Sequence, residues 1–215
     1  MKKVLLSLIL LLAALSSANA QLSLSASGAL PVGKYASKDL ENSGYGAGLG
    51  LGAGLEYAFK TQGIVKPVVG FHMLSNWTKK SVKEDLKKNL AASSLSGGGY
   101  GSLGFNAGVK LIHNIDAAGT HVFVDLRALM NCNFPGTWNY ECQTGSNSYS
   151  KYSMKFRKYW RPGFVAGVGI GVDEGSLTLS LVNSGKTPYA VEGESSDGES
   201  YTPWNILLTW TFPIF

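Results

Sequence analysis

Apolar residues alternate with small or polar residues along most of the chain. The alternation is most regular over residues 45–59, where Leu and Ala occupy one side and Gly residues with Glu56 occupy the other. A period of two residues predicts a β-strand, and a helix with so many Gly residues would be costly. Seven more stretches alternate in the same way, at residues 22–30, 65–73, 103–111, 122–130, 164–172, 177–181 and 206–214. The pattern therefore predicts eight strands.

The connections between the predicted strands alternate in length. Three are short, at residues 60–63, 113–119 and 173–175, and four are long, at residues 31–43, 78–99, 133–159 and 183–203. Such alternation is typical of an up-and-down barrel in an outer membrane. The sequence thus predicts an all-β fold, an eight-stranded antiparallel up-and-down transmembrane β-barrel with short periplasmic turns and long extracellular loops.

The first twenty residues have the three parts of a secretory signal peptide. Lys2 and Lys3 form a positive start, residues 4–15 are apolar, and Ala18-Asn19-Ala20 has the pattern of a cleavage site. We expect residues 1–20 to be removed, leaving residues 21–215 as one barrel domain in the outer membrane of a Gram-negative bacterium. Without the two lysines the formal charge falls from +5 to 5 − 2 = +3. This small excess, together with export, argues against nucleic acid as a partner.

The non-apolar side of each strand bears on the choice between a membrane barrel and a soluble one. A lipocalin-like barrel keeps its apolar side chains inside and exposes its outer surface to water, which usually requires many charges. The non-apolar positions here are mostly Gly, Ser, Thr and Asn. This composition favours the lumen of a narrow membrane barrel. The alternative is a secreted lipocalin-like binding protein that does not insert.

With these strands and loops the chain resembles the small outer-membrane β-barrel superfamily, the OmpA/OmpX-like eight-stranded proteins. The resemblance covers residues 21–215 and rests on the architecture and on the final aromatic residue, Phe215. In the family pattern, alternate residues counted back from that aromatic face the lipid. Here the apolar set from Ile206 to Ile214 is one position out of phase, and Pro213 interrupts it. Recognition by the usual assembly machinery is therefore left open.

Aromatic residues near the strand ends predict the girdles that lie at the two surfaces of a membrane. Tyr45 and Tyr57 share the apolar side of the second strand and are far enough apart to span about 30 Å. The predicted girdle consists of Tyr45, Tyr57, Trp77, Trp160, Trp204 and Trp210.

Charged residues on the non-apolar sides predict a polar network inside the barrel. Asp125 and Arg127 are two residues apart on one strand and therefore share a face. The predicted network consists of Glu56, Lys66, Lys110, Asp125, Arg127 and Arg161. Because side chains just fill an eight-stranded barrel, a structural plug is favoured, and a narrow pore is the alternative.

The chain has two cysteines, Cys132 and Cys142. Export to an oxidising compartment predicts a disulfide between them at the base of the third long loop, with two free thiols as the alternative. Neither cysteine has a neighbouring His or further Cys that would complete a metal site. We expect no metal and no cofactor.

The second long loop contains a capping-box pattern, Ser81 followed by Glu84, and then apolar residues at helical spacing. This pattern predicts a short surface helix. Over residues 79–88 the lysines outnumber the acidic residues by 5 − 2 = 3. The partners we expect are outer-membrane lipid and anionic lipopolysaccharide, or an extracellular surface partner, with the barrel itself a monomer. The alternative is a solvated loop without a partner.

These features favour a structural or surface-interaction role through the extracellular loops. A narrow pore or transport channel is the first alternative. A lipid-modifying enzyme is another, for which His72 and Ser75 near the outer end of the third strand are the pairing to consider. No nucleophile motif such as G-x-S-x-G occurs in the sequence. We therefore predict no catalytic residue and no enzymatic activity.

Overall fold

Eight long antiparallel strands close into a barrel in the computed structural model of the protein, which describes residues 20–37, 45–144, 148–172, 174–193 and 199–214. The barrel strands are β1 (Ala20–Pro31), β2 (Ala47–Phe59), β3 (Val65–Thr78), β5 (Tyr100–Asn114), β6 (His121–Pro135), β9 (Tyr159–Val172), β10 (Gly175–Asn183) and β13 (Trp204–Pro213). The remaining elements lie in the loops: a 3-10 helix (Gly33–Tyr35), α1 (Lys80–Asn89), β4 (Ala92–Gly97), β7 (Trp138–Gln143), β8 (Tyr149–Met154), β11 (Thr187–Pro188) and β12 (Ser200–Tyr201). Residues 1–19 of the predicted signal peptide and Phe215 lie outside the described residues.

Each barrel strand pairs with its neighbours in the order β1, β2, β3, β5, β6, β9, β10 and β13, and β13 pairs with β1 to close the sheet. The closing register runs from Ser23 opposite Pro213 to Pro31 opposite Asn205. A closed sheet has no free edge, so the backbone groups of every strand find partners within the barrel. The predicted eight-stranded antiparallel barrel is confirmed. We call the end with the four long connections the loop end and the other the turn end.

Apolar side chains cover the outside of the barrel. Leu49 and Phe105 are 63% and 60% exposed, and alternate residues of the other barrel strands are exposed in the same way. All eight barrel strands are described, and no outward-facing position on them holds Asp, Glu, Lys or Arg. The charged positions of the strands point inward, which is the reverse of a lipocalin-like barrel.

The second strand departs from strict alternation at its loop end. Its register on β3 shifts by one residue between Ala47 and Gly50, which marks a β-bulge. A bulge redirects the side chains that precede it. Ala47 is consequently fully buried, although it shares the odd numbering of the exposed Leu49.

Two of the long loops combine into one small domain-like unit outside the barrel. Strand β4 from the second long loop pairs with β7, and β7 pairs with β8, both from the third long loop. Helix α1 packs next to β4. We call α1, β4, β7 and β8 the loop lobe. Among the described residues, no helix has the length and hydropathy needed to cross a membrane.

The helix α1 appears where the apolar spacing predicts it, but the capping box is wrong. The residue that precedes the helix is Lys79, which makes no side-chain capping hydrogen bond, and Ser81 lies inside the first turn. Tertiary contacts hold the helix instead, because Val82 is buried next to Gly46 and the Lys79 amide donates to the Gly46 carbonyl oxygen (2.9 Å).

Glycines on the inward side of the wall leave room for large lumen side chains. A Cβ atom at Gly169 would collide with the Phe123 ring, and one at Gly104 would lie 2.6 Å from Asn131 Oδ1. A Cβ atom at Gly108 would collide with the Leu126 carbonyl oxygen. These positions therefore require glycine for space.

We expect Gly108→Ala to destabilise the barrel by about 1–3 kcal/mol, because the added methyl group must displace backbone of the neighbouring strand. Urea unfolding of the refolded protein in micelles, followed by tryptophan fluorescence, would measure the change. Gly28→Ala is the control, since nothing lies within 4 Å of its Cβ position. Equal stability of the two variants would contradict this account of the inward glycines.

Candidate functional site

Four charged residues form a cluster in the lumen toward the turn end. Lys110 and Arg127 both donate to the Glu56 carboxylate, and Arg127 also binds Asp125, with Nε 2.7 Å from Oδ1. A further Arg127 nitrogen donates to Asn106 Oδ1 (3.1 Å). The side chains of this ion cluster are 4–12% exposed. Two cations and two carboxylates thus balance within one buried group.

The other two residues of the predicted network lie apart from this cluster. Lys66 faces the lumen at the turn end and makes no ion pair with any described residue. Arg161 lies near the loop end, where its guanidinium stacks over the Tyr159 ring at 5.2 Å. The alternation along each strand predicted that all six side chains face the lumen. It could not predict where each residue lies along the barrel axis. The six do not form one network.

A small cavity of about 90 Å³ lies in the lumen above the ion cluster. Serine and threonine hydroxyls line much of it, together with His72, whose Nδ1 lies 3.4 Å from Asn106 Nδ2. Ser75 is exposed on the outside of the wall. The pairing of His72 with Ser75 that an enzyme would need is therefore not formed. Within the described ranges, no three His, Cys, Asp or Glu side chains come together as metal ligands.

A layer of buried asparagines crosses the lumen near the loop end. Asn76 Nδ2 donates to Asn205 Oδ1 (3.0 Å), and Asn133 Nδ2 donates to the Ser184 carbonyl oxygen (2.6 Å) and to Thr187 (2.8 Å). The members of this asparagine layer, each at most 2% exposed, are Asn76, Asn131, Asn133 and Asn205. The bonds of Asn76 and Asn133 join β3 to β13 and β6 to the last long loop.

Five tyrosines pack over the asparagine layer. Their ring centroids are 5.1–6.5 Å apart, and Tyr35 donates to Asn76 Oδ1 (3.1 Å) below. Aromatic pairs at such distances contribute about 0.5–1.5 kcal/mol each beyond burial. We call Tyr35, Tyr45, Tyr100, Tyr189 and Tyr201 the tyrosine roof. It covers the lumen at the loop end.

The tyrosine roof is uncharged at neutral pH. Burial raises the pKa of Tyr35 well above its usual range and raises that of Tyr45 to about 12. The hydroxyls therefore keep their protons, and the roof adds no charge above the lumen.

The structure places five of the six predicted girdle residues near the ends of barrel strands, whereas Tyr45 lies elsewhere. Trp77 and Trp160 are exposed on the outer wall near the loop end, where Trp204 packs edge-on against Phe164. At the turn end, Tyr57 lies against Phe59 and Trp210 stacks on Phe212, with 4.9 Å between the centroids of each pair. Tyr45 instead belongs to the roof, because the bulge in β2 turns the chain before Ala47 inward.

The predicted disulfide is wrong. Cys132 and Cys142 are both free thiols. Cys132 lies on the outward side of β6, whereas Cys142 lies in the loop lobe, where its Sγ donates to the Leu90 carbonyl oxygen (3.5 Å). Pairing of β7 with β4 draws Cys142 away from the barrel wall.

The loop lobe carries an excess of positive charge. Within the loop lobe, Lys and Arg outnumber Asp and Glu by 5 − 3 = 2, and the adjoining residues 79 and 155–158 raise this excess to 9 − 3 = 6. Aromatic rings accompany these charges: Tyr140 stacks on Tyr152 at 5.3 Å, and Lys83 lies 5.8 Å from the Trp138 ring. The lobe is thus a basic surface with exposed aromatic groups.

The tyrosine roof, the asparagine layer and the sheet of the loop lobe were not predicted from the sequence. The asparagines could have been found by continuing the alternation of β3 past Met73, because Asn76 has the inward parity of Leu74. The tyrosines of the long loops follow no period, so their meeting depends on tertiary structure.

We expect Glu56→Gln to destabilise the protein by about 3–5 kcal/mol, because a neutral amide cannot balance Lys110 and Arg127 and leaves a buried cation uncompensated. Urea unfolding in micelles would measure the loss. Lys66→Met is the matched control, since Lys66 makes no ion pair with the described residues. A Glu56→Gln protein as stable as this control would rule out a stabilising ion cluster.

Comparisons with known proteins give likenesses of fold only. No protein-family model matches the chain, and no curated protein sequence matches it. Among solved structures, Neisserial surface protein A aligns over 91% of this chain and 97% of that chain at 14% identity and a TM-score of 0.43. The N-terminal β-barrel domain of Pseudomonas aeruginosa OprF aligns over 92% and 98% at 11% identity and a TM-score of 0.36. Ail of Yersinia pestis, solved with the heparin analogue sucrose octasulfate, aligns over 90% and 97% at 13% identity and a TM-score of 0.39.

Proposed function

We propose that the protein is an outer-membrane β-barrel with a structural and surface-interaction role carried by its extracellular loops. The outer wall is the observation on which this proposal rests. It is apolar on every strand and lacks Asp, Glu, Lys and Arg at all of its outward positions. A monomer in water rarely exposes a continuous apolar surface of this size. A closed barrel with an apolar outer wall is suited to the hydrocarbon interior of a lipid bilayer.

The dimensions of the wall support the same proposal. A strand such as β2, with 13 residues tilted as in small barrels, rises about 30 Å. The apolar band of outer-membrane barrels is about 25 Å tall and is bordered by aromatic girdles. Trp77 and Trp160 at one end and Trp210 at the other have the positions of such girdles. The loop end is then extracellular and the turn end periplasmic.

The filled lumen favours a structural barrel over a pore. Three obstacles follow one another along its axis, the ion cluster, the asparagine layer and the tyrosine roof. The cavity between the first two has a volume of about 90 Å³. A solute would have to break several buried hydrogen bonds to pass.

The loop lobe is the surface that supports an interaction role. We propose that its basic face contacts the phosphate groups of lipopolysaccharide, with the lysines of α1 as the contacting groups. Lys87 and Lys88 are exposed in the last turn of α1. Lysines near an anionic surface contribute about 1 kcal/mol each, and the attraction weakens with salt.

Membrane insertion predicts a heat-dependent change in gel mobility. In mild SDS the unboiled protein should migrate differently from the boiled protein, because a closed barrel resists SDS until it is heated, and it should fractionate with outer membranes. Gel mobility of the extracted protein, boiled and unboiled, is the measurement. A soluble periplasmic protein with no shift would refute the proposal.

Binding of lipopolysaccharide predicts a specific effect of the α1 lysines. The double variant Lys87→Gln with Lys88→Gln should bind lipopolysaccharide roughly thirtyfold more weakly in low salt. Titration of the refolded protein in non-ionic micelles, followed by thermophoresis, would measure the affinity. Lys60→Gln with Lys186→Gln removes the same charge outside the lobe and should bind normally. If both double variants lost the same affinity for lipopolysaccharide, the loss would be a general effect of net charge and would contradict a binding site on the lobe.

A further inference from the structure

A second cavity opens at the turn end of the lumen. It has a volume of about 340 Å³ and is lined by the ends of the barrel strands. The ion cluster and the Phe123 ring lie at its inner end, with Lys110 Nζ 5.1 Å from that ring. We call this cavity the turn-side mouth. Because the ion cluster and the Phe123 ring close its inner end, a solute can enter and leave the cavity only from the turn end.

Two lysines face each other in the turn-side mouth. Lys66 on β3 is paired directly opposite Lys110 on β5, and both line the cavity. Like charges directly opposite on neighbouring antiparallel strands destabilise a sheet. Lys110 is balanced by Glu56, but Lys66 makes no ion pair with any described residue. Among the described residues that line the mouth, Lys66 therefore adds one positive charge that no carboxylate balances, next to a second lysine.

Neutral hydrogen-bonding groups surround this excess charge. Gln21, Ser176 and Thr211 line the cavity with His121. The His121 Nδ1 must donate to the Gly119 carbonyl oxygen (2.9 Å), which directs Nε2 away from the turn. An added Cβ at Gly171 would lie 2.6 Å from Nε2, so the glycine leaves the space that the imidazole occupies in the mouth.

We propose that the turn-side mouth binds a small anion bearing carboxylate or phosphate groups, with Lys66 as the principal contact. The anion neutralises Lys66 and screens it from Lys110, while the hydroxyls of Ser176 and Thr211 donate to it. The volume corresponds to roughly ten water molecules, which fits a compound the size of citrate. This inference concerns the opposite end of the barrel from the loop lobe and does not depend on lipopolysaccharide binding.

The test is a titration of the refolded full chain in dodecyl maltoside micelles with citrate and, separately, with inorganic phosphate. Amide chemical shifts of Gly119 and Gly175, at the rim of the mouth, report binding. For wild type we expect saturable shifts with at least one of the two anions, and the anion that saturates at the lower concentration identifies the preferred group. Glucose at equal concentration should cause no saturable shift.

Two lysine variants decide whether the site is the mouth. Lys66→Met should weaken anion binding roughly tenfold, the value of one charge-assisted hydrogen bond. Lys60→Met removes the same charge from an exposed position at the same end, outside the mouth, and should bind as wild type does. Absence of saturable shifts, unchanged affinity of Lys66→Met, or equal weakening of both variants would each overturn the proposal.

Unfolding provides an independent readout. Because a ligand that binds only the folded protein stabilises it, the anion should raise the urea midpoint of wild type and of Lys60→Met but not that of Lys66→Met. Without anion, Lys66→Met should be at least as stable as wild type, since the like-charge pair is gone. An anion-dependent rise of equal size in all three proteins would be a general salt effect and would also overturn the proposal.

Discussion

The pairing of β1 with β13 is the constraint on which the rest of the structure depends. Once the sheet closes, each residue of a barrel strand points either to the lumen or to the outside, and a change of side requires a bulge such as the one in β2. Closure therefore divides the chain into an apolar wall and a polar interior. It also holds Glu56, Lys110, Asp125 and Arg127 at close range, where water reaches them poorly and each charge is balanced by another.

The interior is filled because small and large residues are complementary across it. Glycine in one strand faces a bulky or branched group of another, as Gly169 faces Phe123 and Gly104 faces Asn131. The many glycines of the wall consequently do not produce an open channel. They allow neighbouring strands and long side chains to approach closely, so that the ion cluster and the asparagine layer occupy the axis of the barrel.

The strands could be predicted from the sequence because a period of two residues is local and survives any tertiary arrangement. For the partners of Arg127, the sequence predicted that they face the lumen but not where along the barrel axis they lie. The position of a residue along that axis depends on the shear of the closed sheet. Arg161 and Lys66 were misplaced for that reason. Tyr45 and Cys142 were misplaced for a different reason. A β-bulge redirects the chain near Tyr45, and the sheet of the loop lobe redirects it at Cys142. Neither feature has a periodic signal in the sequence. Export of residues 1–20 stays a prediction.

The sheet of the loop lobe has a consequence for how the outer surface can be recognised. Its strands come from two separate loops, β4 from one and β7 with β8 from the other. A synthetic peptide copied from either loop would lack the partner strand that gives it its shape. Antibodies raised against such peptides would then bind a conformation that the folded protein does not present, whereas the assembled lobe would behave as a single conformational epitope.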